Sequence, residues 1–275
     1  MDDANKVLQR LCETYRSGRG LALFFDYDGT LAPISPMPKE AVLPPAVRRD
    51  LKRLNAMTHV TVGVTSGRAI DDLKSMVALD GLYYAGTSGL EMDLHGRQRI
   101  PIDSNQLHAM LGHIVERLHL VSDGYPGAWI EQKPLGLTLH YRAVRKELVG
   151  QLHSDAIEAL APWQNDVRVD EVTLGIEIVP EVGRDKGTAI REILADRGGS
   201  PFPAYFGDAA NDAPALVAMD ELGGLSVGVG PVAPRAAMHL NGPEDVAALV
   251  EMLTTALADE RQLESIRAAH GGFAE

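Results

Sequence analysis

Short apolar runs that end abruptly in acids or small polar residues recur along this chain. Residues 21–25 run into Asp26-Tyr27-Asp28-Gly29-Thr30, residues 60–64 into Thr65-Ser66-Gly67-Arg68, and residues 203–206 into Gly207-Asp208-Ala209-Ala210-Asn211-Asp212. Unbroken apolar stretches of this kind predict strands covered on both faces. Residues 82–86 and 225–229 predict two more. Between them the period lengthens. Val47, Leu51 and Leu54 fall at helical spacing in 46–56, and 2–16, 69–77, 186–197 and 214–222 also read as helices, the fourth stopped by Gly198 and Gly199. A last amphipathic helix spans 244–261, with Val246, Leu249, Val250, Leu253 and Leu257 on one stripe. Five prolines within 32–45 exclude helix and central strand there. Strands alternating with helices predict an α/β fold, a parallel sheet with crossover helices.

In the middle of the chain the texture changes. Residues 104–120 and 146–160 read as helices, and 128–142 and 167–180 each read as two strands joined by a short turn. We expect a core built from 1–102 and 183–275, interrupted by an inserted α+β unit at 103–182, with hinges near 102–104 and 180–184.

Composition narrows the class. The chain has 275 residues, 45% hydrophobic and 23% charged, as in ordinary soluble globular proteins. Its net charge of -12 argues against a nucleic-acid partner, which would need basic side chains on the phosphates. No apolar run nears the ~18 residues of a membrane span, and the polar N-terminal stretch lacks the pattern of a secretory signal. A single cysteine, Cys12, permits neither a disulfide framework nor a cysteine-rich metal site. A cytoplasmic monomer acting on a small molecule is the expectation.

The three polar segments all follow strands, and in open parallel sheets ligands bind outside the carboxyl ends of the strands. Asp26 and Asp28 are two apart, so extended backbone turns both carboxylates the same way. Placing them beside Asp208 and Asp212 is electrostatically costly unless a cation balances them, and Mg2+ suits such oxygen ligands. The Gly29-Thr30 turn offers N–H groups and a hydroxyl to a phosphate, and Lys186 offers a point charge. Taken singly, each segment also reads as plain structure: a polar turn at 26–30, or a helix cap at Asp212 ahead of Pro214. Arg68 reads as a phosphate contact or as a helix-start residue paired with Asp71 or Asp72. Glu131 and Lys133 read as sugar contacts or as a hairpin pair, and His140 as a core histidine. Glu177 lies in an apolar strand, so its carboxylate needs a partner; a ligand hydroxyl or Arg142 would serve.

In this order the segments resemble the haloacid dehalogenase superfamily. The resemblance implies a Rossmann-like core with a cap of the C2 type at the insert, Asp26 as nucleophile, Asp28 as acid and base, Ser66 and Lys186 as phosphate-holding residues, and Asp26, Asp28, Asp208 and Asp212 around Mg2+. Within that superfamily the chain resembles the trehalose-6-phosphate phosphatases, through DYDGTLAPI, VTSGR, Glu131-Gln132-Lys133, Leu137-Thr138-Leu139-His140-Tyr141-Arg142 and GIEIVPEVGRDKG. That likeness implies substrate contacts from Gly29, Thr30, Gly67, Arg68, Glu131, Lys133, Arg142 and Glu177. Three segments depart from the family pattern. Gly86-Thr87-Ser88-Gly89 stands where the family has Gly-Ser-His-Gly, GDAANDA where it has GDD-x-TDE, and no lysine precedes Glu177 in 172–175. Other glycosyl phosphates, such as mannosyl- or glucosyl-3-phosphoglycerate and glucosylglycerol phosphate, remain alternative substrates, and a phosphomutase or a non-catalytic sugar-phosphate sensor is a further reading.

Overall fold

A computed structural model describes residues 3–35, 40–100, 104–172, 174–231 and 233–270. The chain begins with α1 (Asp3–Arg16), β1 (Leu21–Asp26), α2 (Pro45–Asn55), β2 (Val60–Thr65), α3 (Ile70–Val77) and β3 (Tyr83–Gly86), close to the predicted spans. A hairpin follows, β4 (Glu91–Leu94) and β5 (Arg97–Arg99). Next come α4 (Ser104–Ser122), β6 (Trp129–Lys133), β7 (Gly136–His140), α5 (Lys146–Leu160), β8 (Val167–Val172) and β9 (Gly175–Pro180). The chain then returns through α6 (Lys186–Arg197), β10 (Phe202–Gly207), α7 (Ala213–Glu221), β11 (Leu225–Val229), β12 (Met238–Leu240) and α8 (Pro243–His270).

Twelve strands form two sheets among the described residues: β12-β11-β10-β1-β2-β3-β4-β5, and β6-β7-β9-β8. All six residues of β1 are buried, because it lies between two parallel neighbours and under helices on both faces. Its side chains alternate between two cores. Leu21, Leu23 and Phe25 join α1, α2, α3 and α8, whose predicted stripe from Val246 to Leu257 is buried there. Ala22 and Phe24 join Ala189, Ile190 and Ile193 of α6 and Ala215, Leu216 and Met219 of α7. The second sheet has its own core, in which Leu137, Leu139, Ile176 and Ile178 pack on Ile114, Leu118, Leu152 and Ala156 of α4 and α5.

The large sheet is mixed rather than wholly parallel. Strands β12 to β3 run parallel, but β4 and β5 are antiparallel. Strand β5 reads Arg97-Gln98-Arg99, fully exposed, so it has no apolar signal. It forms because the His95-Gly96 turn has positive φ at both residues (55° and 86°), the geometry that matches the twist of a two-residue hairpin. Strand β12 is three residues long and was also not expected. Of the expected hinges, residues 101–103 lie outside the described residues.

Truncating Phe24, which is completely buried between β1 and α6, tests this packing. Phe24→Ala is expected to cost about 3–5 kcal/mol in urea unfolding.

Candidate active site

The carboxyl ends of β1 and β10 are neighbours, since Phe25 pairs with Phe206 in register. The register therefore brings Asp26, at the end of β1, beside Asp208, just past β10. Asp212 joins them from a short 3-10 turn at Ala210–Asp212, and one carboxylate oxygen from each of the three acids lies within 4.8 Å of the others. All three are buried.

Lys186 holds this group together. It is the first residue of α6, whose N-cap Asp185 accepts from the Thr188 N–H at 2.7 Å while the Asp185 N–H donates to the Thr188 hydroxyl. From there the Lys186 ammonium, 1% exposed, donates to Asp26 Oδ1 and Asp212 Oδ1, both at 2.6 Å, and to Asn211 Oδ1 at 3.3 Å. Asp212 is not a side-chain cap for α7. Its Oδ2 accepts the N–H groups of Asp208 and Ala209 at 2.9 Å, and its Oδ1 accepts the Tyr205 hydroxyl at 2.5 Å. Thr65 extends this network, 2.9 Å from the same Tyr205 hydroxyl. The side-chain oxygen of Thr30 lies 3.5 Å from Asp208. Gly29 passes so close to Asp208 that an added Cβ would sit 2.2 Å from Oδ2.

The electrostatics are those of crowded, desolvated acids. Burial pushes Asp26 well above the usual carboxylate range, against the pull of Lys186, and Asp212 and Asp208 push the same way. Burial and the Asp212 charge push Asp208 up to about 7. Burial works against the Lys186 ammonium, but Asp212 and Asp26 outweigh it and hold its pKa well above normal. With all three acids ionised, three carboxylates and one ammonium would leave two negative charges. A divalent cation bound by oxygen fits that deficit and that donor set. Asp28, the fourth acid expected around the metal, is not in this group. Its carboxylate is gripped by Arg68, Nε to Oδ2 at 2.6 Å and Nη2 to Oδ1 at 2.7 Å. The helix-start pairing expected for Arg68 survives only as a 3.9 Å contact with Asp72.

The second sheet faces this group across a cleft lined by Asp26, Asp28, Ser66, Arg68 and Asp208 on one side and Glu131, Lys133, His140, Arg142 and Glu177 on the other. Glu177, in β9, is 1% exposed. Its partners are not Arg142 but Lys133 (2.9 Å), Ser88 (2.5 Å) and Asn211 (3.3 Å). Burial pushes its pKa up, but Lys133 and the Ser88 hydrogen bond prevail and hold it below the usual value. Lys133 also donates to the Gly67 carbonyl at 2.6 Å, so it bridges the two sides. Glu131 pairs with His140 Nε2 at 2.7 Å, and Trp129 stacks on that imidazole, ring centroids 4.1 Å apart. On the same side, buried Nε and Nη1 of Arg142 and Nδ1 of His140 have no hydrogen-bond partner among the described residues. These are donors and acceptors suited to a ligand's hydroxyls.

The motifs did not reveal Tyr205 or Trp129, nor that Ser88 meets Glu177. Tyr205 carries no motif signal beyond a hydroxyl-bearing aromatic in a buried strand. Ser88 had one, as the residue standing where the family has histidine.

A buried Asp–Lys–Asp group at the ends of parallel strands, an Asp-x-Asp first strand and an inserted sheet over the cleft define a phosphatase-type site of the haloacid dehalogenase class. Comparison with known proteins narrows this. Residues 24–233 match the trehalose-phosphatase family. The trehalose-6-phosphate phosphatase of Escherichia coli (strain K12) is 32% identical over 266 residues, covering 93% of this chain and 95% of that one. A trehalose 6-phosphate phosphatase of Zea mays is 27% identical over 256 residues, covering 86% and 70%. The C-terminal domain of Candida albicans trehalose-6-phosphate phosphatase has the same fold, with a TM-score of 0.79 at 22% identity over 90% of this chain and 96% of that one. The chain belongs to the trehalose-phosphatase family and is a phosphoric monoester hydrolase.

The Asp208 shift sets a pH dependence for the metal-free protein. A carboxyl whose folded pKa stands above its unfolded value adds stability below the unfolded value, about 4, and that stability is lost as pH rises through the folded value, about 7. In EDTA the melting temperature is therefore expected to fall between pH 4 and 7, and Asp208→Asn to flatten the slope. Mg2+ should remove most of the fall in the unmutated protein. Equal slopes for the two proteins in EDTA would refute the assignment to Asp208.

Proposed function

We propose that the chain hydrolyses trehalose 6-phosphate to trehalose and phosphate, with Mg2+ as cofactor and Asp26 as the nucleophile. The observation that carries the reading is Asp26 at the end of β1, lining the cleft and held at 2.6 Å by a buried Lys186. The substrate follows the family and the E. coli and Zea mays relatives named above. It also fits a cleft whose far side carries Glu131, Lys133, His140, Arg142 and Glu177, groups that hydrogen-bond sugar hydroxyls.

Asp26, Asp208 and Asp212 would hold the Mg2+, which supplies positive charge to the transferring phosphoryl group. Lys186 keeps the Asp26 carboxylate aimed and favours its charged form against the opposing effect of burial. Ser66 and the Gly29-Thr30 turn would bind the phosphate oxygens, with Arg68 beside them. Both oxygens of Asp28 are engaged by Arg68, so this pair has to open before Asp28 acts. An incoming phosphate dianion offers Arg68 an alternative bidentate partner. An Asp26 oxygen then attacks phosphorus in line, the bond from phosphorus to the sugar oxygen breaks, and protonated Asp28 gives that oxygen its proton. Asp28, now a carboxylate, takes a proton from the water that attacks the phosphorus of the aspartyl-phosphate, releasing phosphate and restoring Asp26. We assign residues 103–182 the role of a cap that closes over the leaving group and excludes bulk water.

The test is phosphate release with Mg2+ and with EDTA. The panel is trehalose 6-phosphate, glucose 6-phosphate, sucrose 6-phosphate, glucosylglycerol phosphate and mannosyl-3-phosphoglycerate. Trehalose 6-phosphate is expected to be preferred, and EDTA to stop the reaction. Preference for another member keeps the chemistry and replaces the substrate, while no release from any of them overturns the reading. Asp26→Asn should lose more than about 10³-fold in kcat with an unchanged circular dichroism spectrum. Substantial residual turnover would remove Asp26 from the nucleophile's role.

A further inference from the structure

The turn after β3 carries a buried hydroxyl that the chemical steps above do not use. Thr87 and Ser88 both adopt left-handed backbone, with φ of 44° and 51°, and both are buried. A β-branched residue there is an outlier, and such conformations persist only where their surroundings over-determine them. The surroundings here belong to the phosphate side of the cleft. The Thr87 N–H donates to the Arg68 carbonyl at 2.7 Å and the Ser88 N–H to the Ser66 carbonyl at 2.9 Å. The Thr87 hydroxyl donates to Glu91. So held, Ser88 sends its hydroxyl across to the second sheet, where it donates to Glu177 Oε2 at 2.5 Å, a residue 89 positions away.

We infer that Ser88 is a positioning residue for substrate choice: tied by its backbone to the Ser66 loop and by its hydroxyl to Glu177, it sets the distance between the phosphate subsite and the acid facing the leaving group. The inference rests on reading the cleft as that of a capped sugar-phosphate phosphatase. The other tethers of Glu177 are looser or more flexible. Asn211 donates at 3.3 Å, and Lys133 reaches it on a four-carbon stem. Without the Ser88 hydroxyl Glu177 keeps both of these partners, so its charge stays paired and the fold should survive. What is lost is the short bond that registers Glu177 against the Ser66 loop. A substrate with hydroxyls on its leaving group then meets an acid that is no longer fixed at one reach. A substrate without them is indifferent.

Steady-state kinetics of the full chain with Mg2+ test this, using trehalose 6-phosphate and p-nitrophenyl phosphate, whose leaving group bears no further hydroxyl. In Ser88→Ala the ratio of their kcat/KM values is expected to fall about tenfold, mainly through KM for the sugar phosphate, the size of effect one hydrogen bond to a charged group carries. Ser88→Asn keeps a donor on a residue that tolerates left-handed backbone and should restore most of the ratio. A merely structural serine would depress both substrates alike, and an unchanged ratio overturns the inference. If the unmutated enzyme does not prefer trehalose 6-phosphate, the proposed substrate fails by itself. The same ratio is then taken with the glycosyl phosphate it does prefer. Amide hydrogen exchange in the substrate-free protein gives a check that needs no turnover. Exchange in 176–179 should be faster in Ser88→Ala than in the unmutated chain, and identical exchange counts against the tether.

Discussion

One buried ammonium organises the site. Lys186 is 1% exposed and would be prohibitively costly there without partners. Its partners come from two separate stretches of chain, Asp26 at the end of β1 and Asn211 and Asp212 after β10, while Lys186 itself opens α6. Satisfying that charge fixes how the start of α6 sits against the ends of β1 and β10. The reverse also holds. Three acids this close tolerate one another only because the ammonium lies between two of them, and the remaining negative charge makes the place receptive to a divalent cation and, through it, to a phosphate ester.

The opposite side of the cleft is organised by Glu177 in the same way, with the signs reversed. Here a buried carboxylate is met by an ammonium, a hydroxyl and an amide. Two of these donors come from the core and one from the second sheet, so the carboxylate is satisfied only when the two units are together. The small apolar cluster of Leu90, Leu135 and Val179 adds contact there, but hydrophobic contact is not directional. The polar node supplies the alignment.

Two of the three departures from the family pattern fall where these two nodes meet. Asn211, part of GDAANDA, contacts both Lys186 and Glu177 and thereby links the acidic group to the second sheet. Ser88, in the place of the family's histidine, binds the same Glu177. At these two positions a neutral donor, an amide and a hydroxyl, ties Glu177 to the core.

The sequence by itself determined the helices, most of the strands and the order of the acidic segments. Five of the core strands, β1, β2, β3, β10 and β11, are largely apolar, and α1, α2, α3 and α8 carry apolar stripes that are buried, so burial alone specifies them. Asp26, Ser66, Asp208 and Asp212 were legible because strand ends in a parallel sheet converge on one crevice, and Lys186 as a cation opening the late helix. The sequence could not supply the partners. Arg68 grips Asp28 and Glu177 meets Ser88 rather than Arg142, pairings that span 40 and 89 positions and depend on register, while Tyr205 supports Asp212 only seven positions on, through the direction in which the turn after β10 points its side chain. β5 was invisible because an exposed edge strand of Arg97-Gln98-Arg99 owes its form to the turn before it and to the neighbouring backbone, not to any side chain of its own. Hydrophobic periodicity is a local property and survives in one dimension, whereas the neutralisation of buried charge is a property of three-dimensional neighbours, and only the tertiary structure decides it.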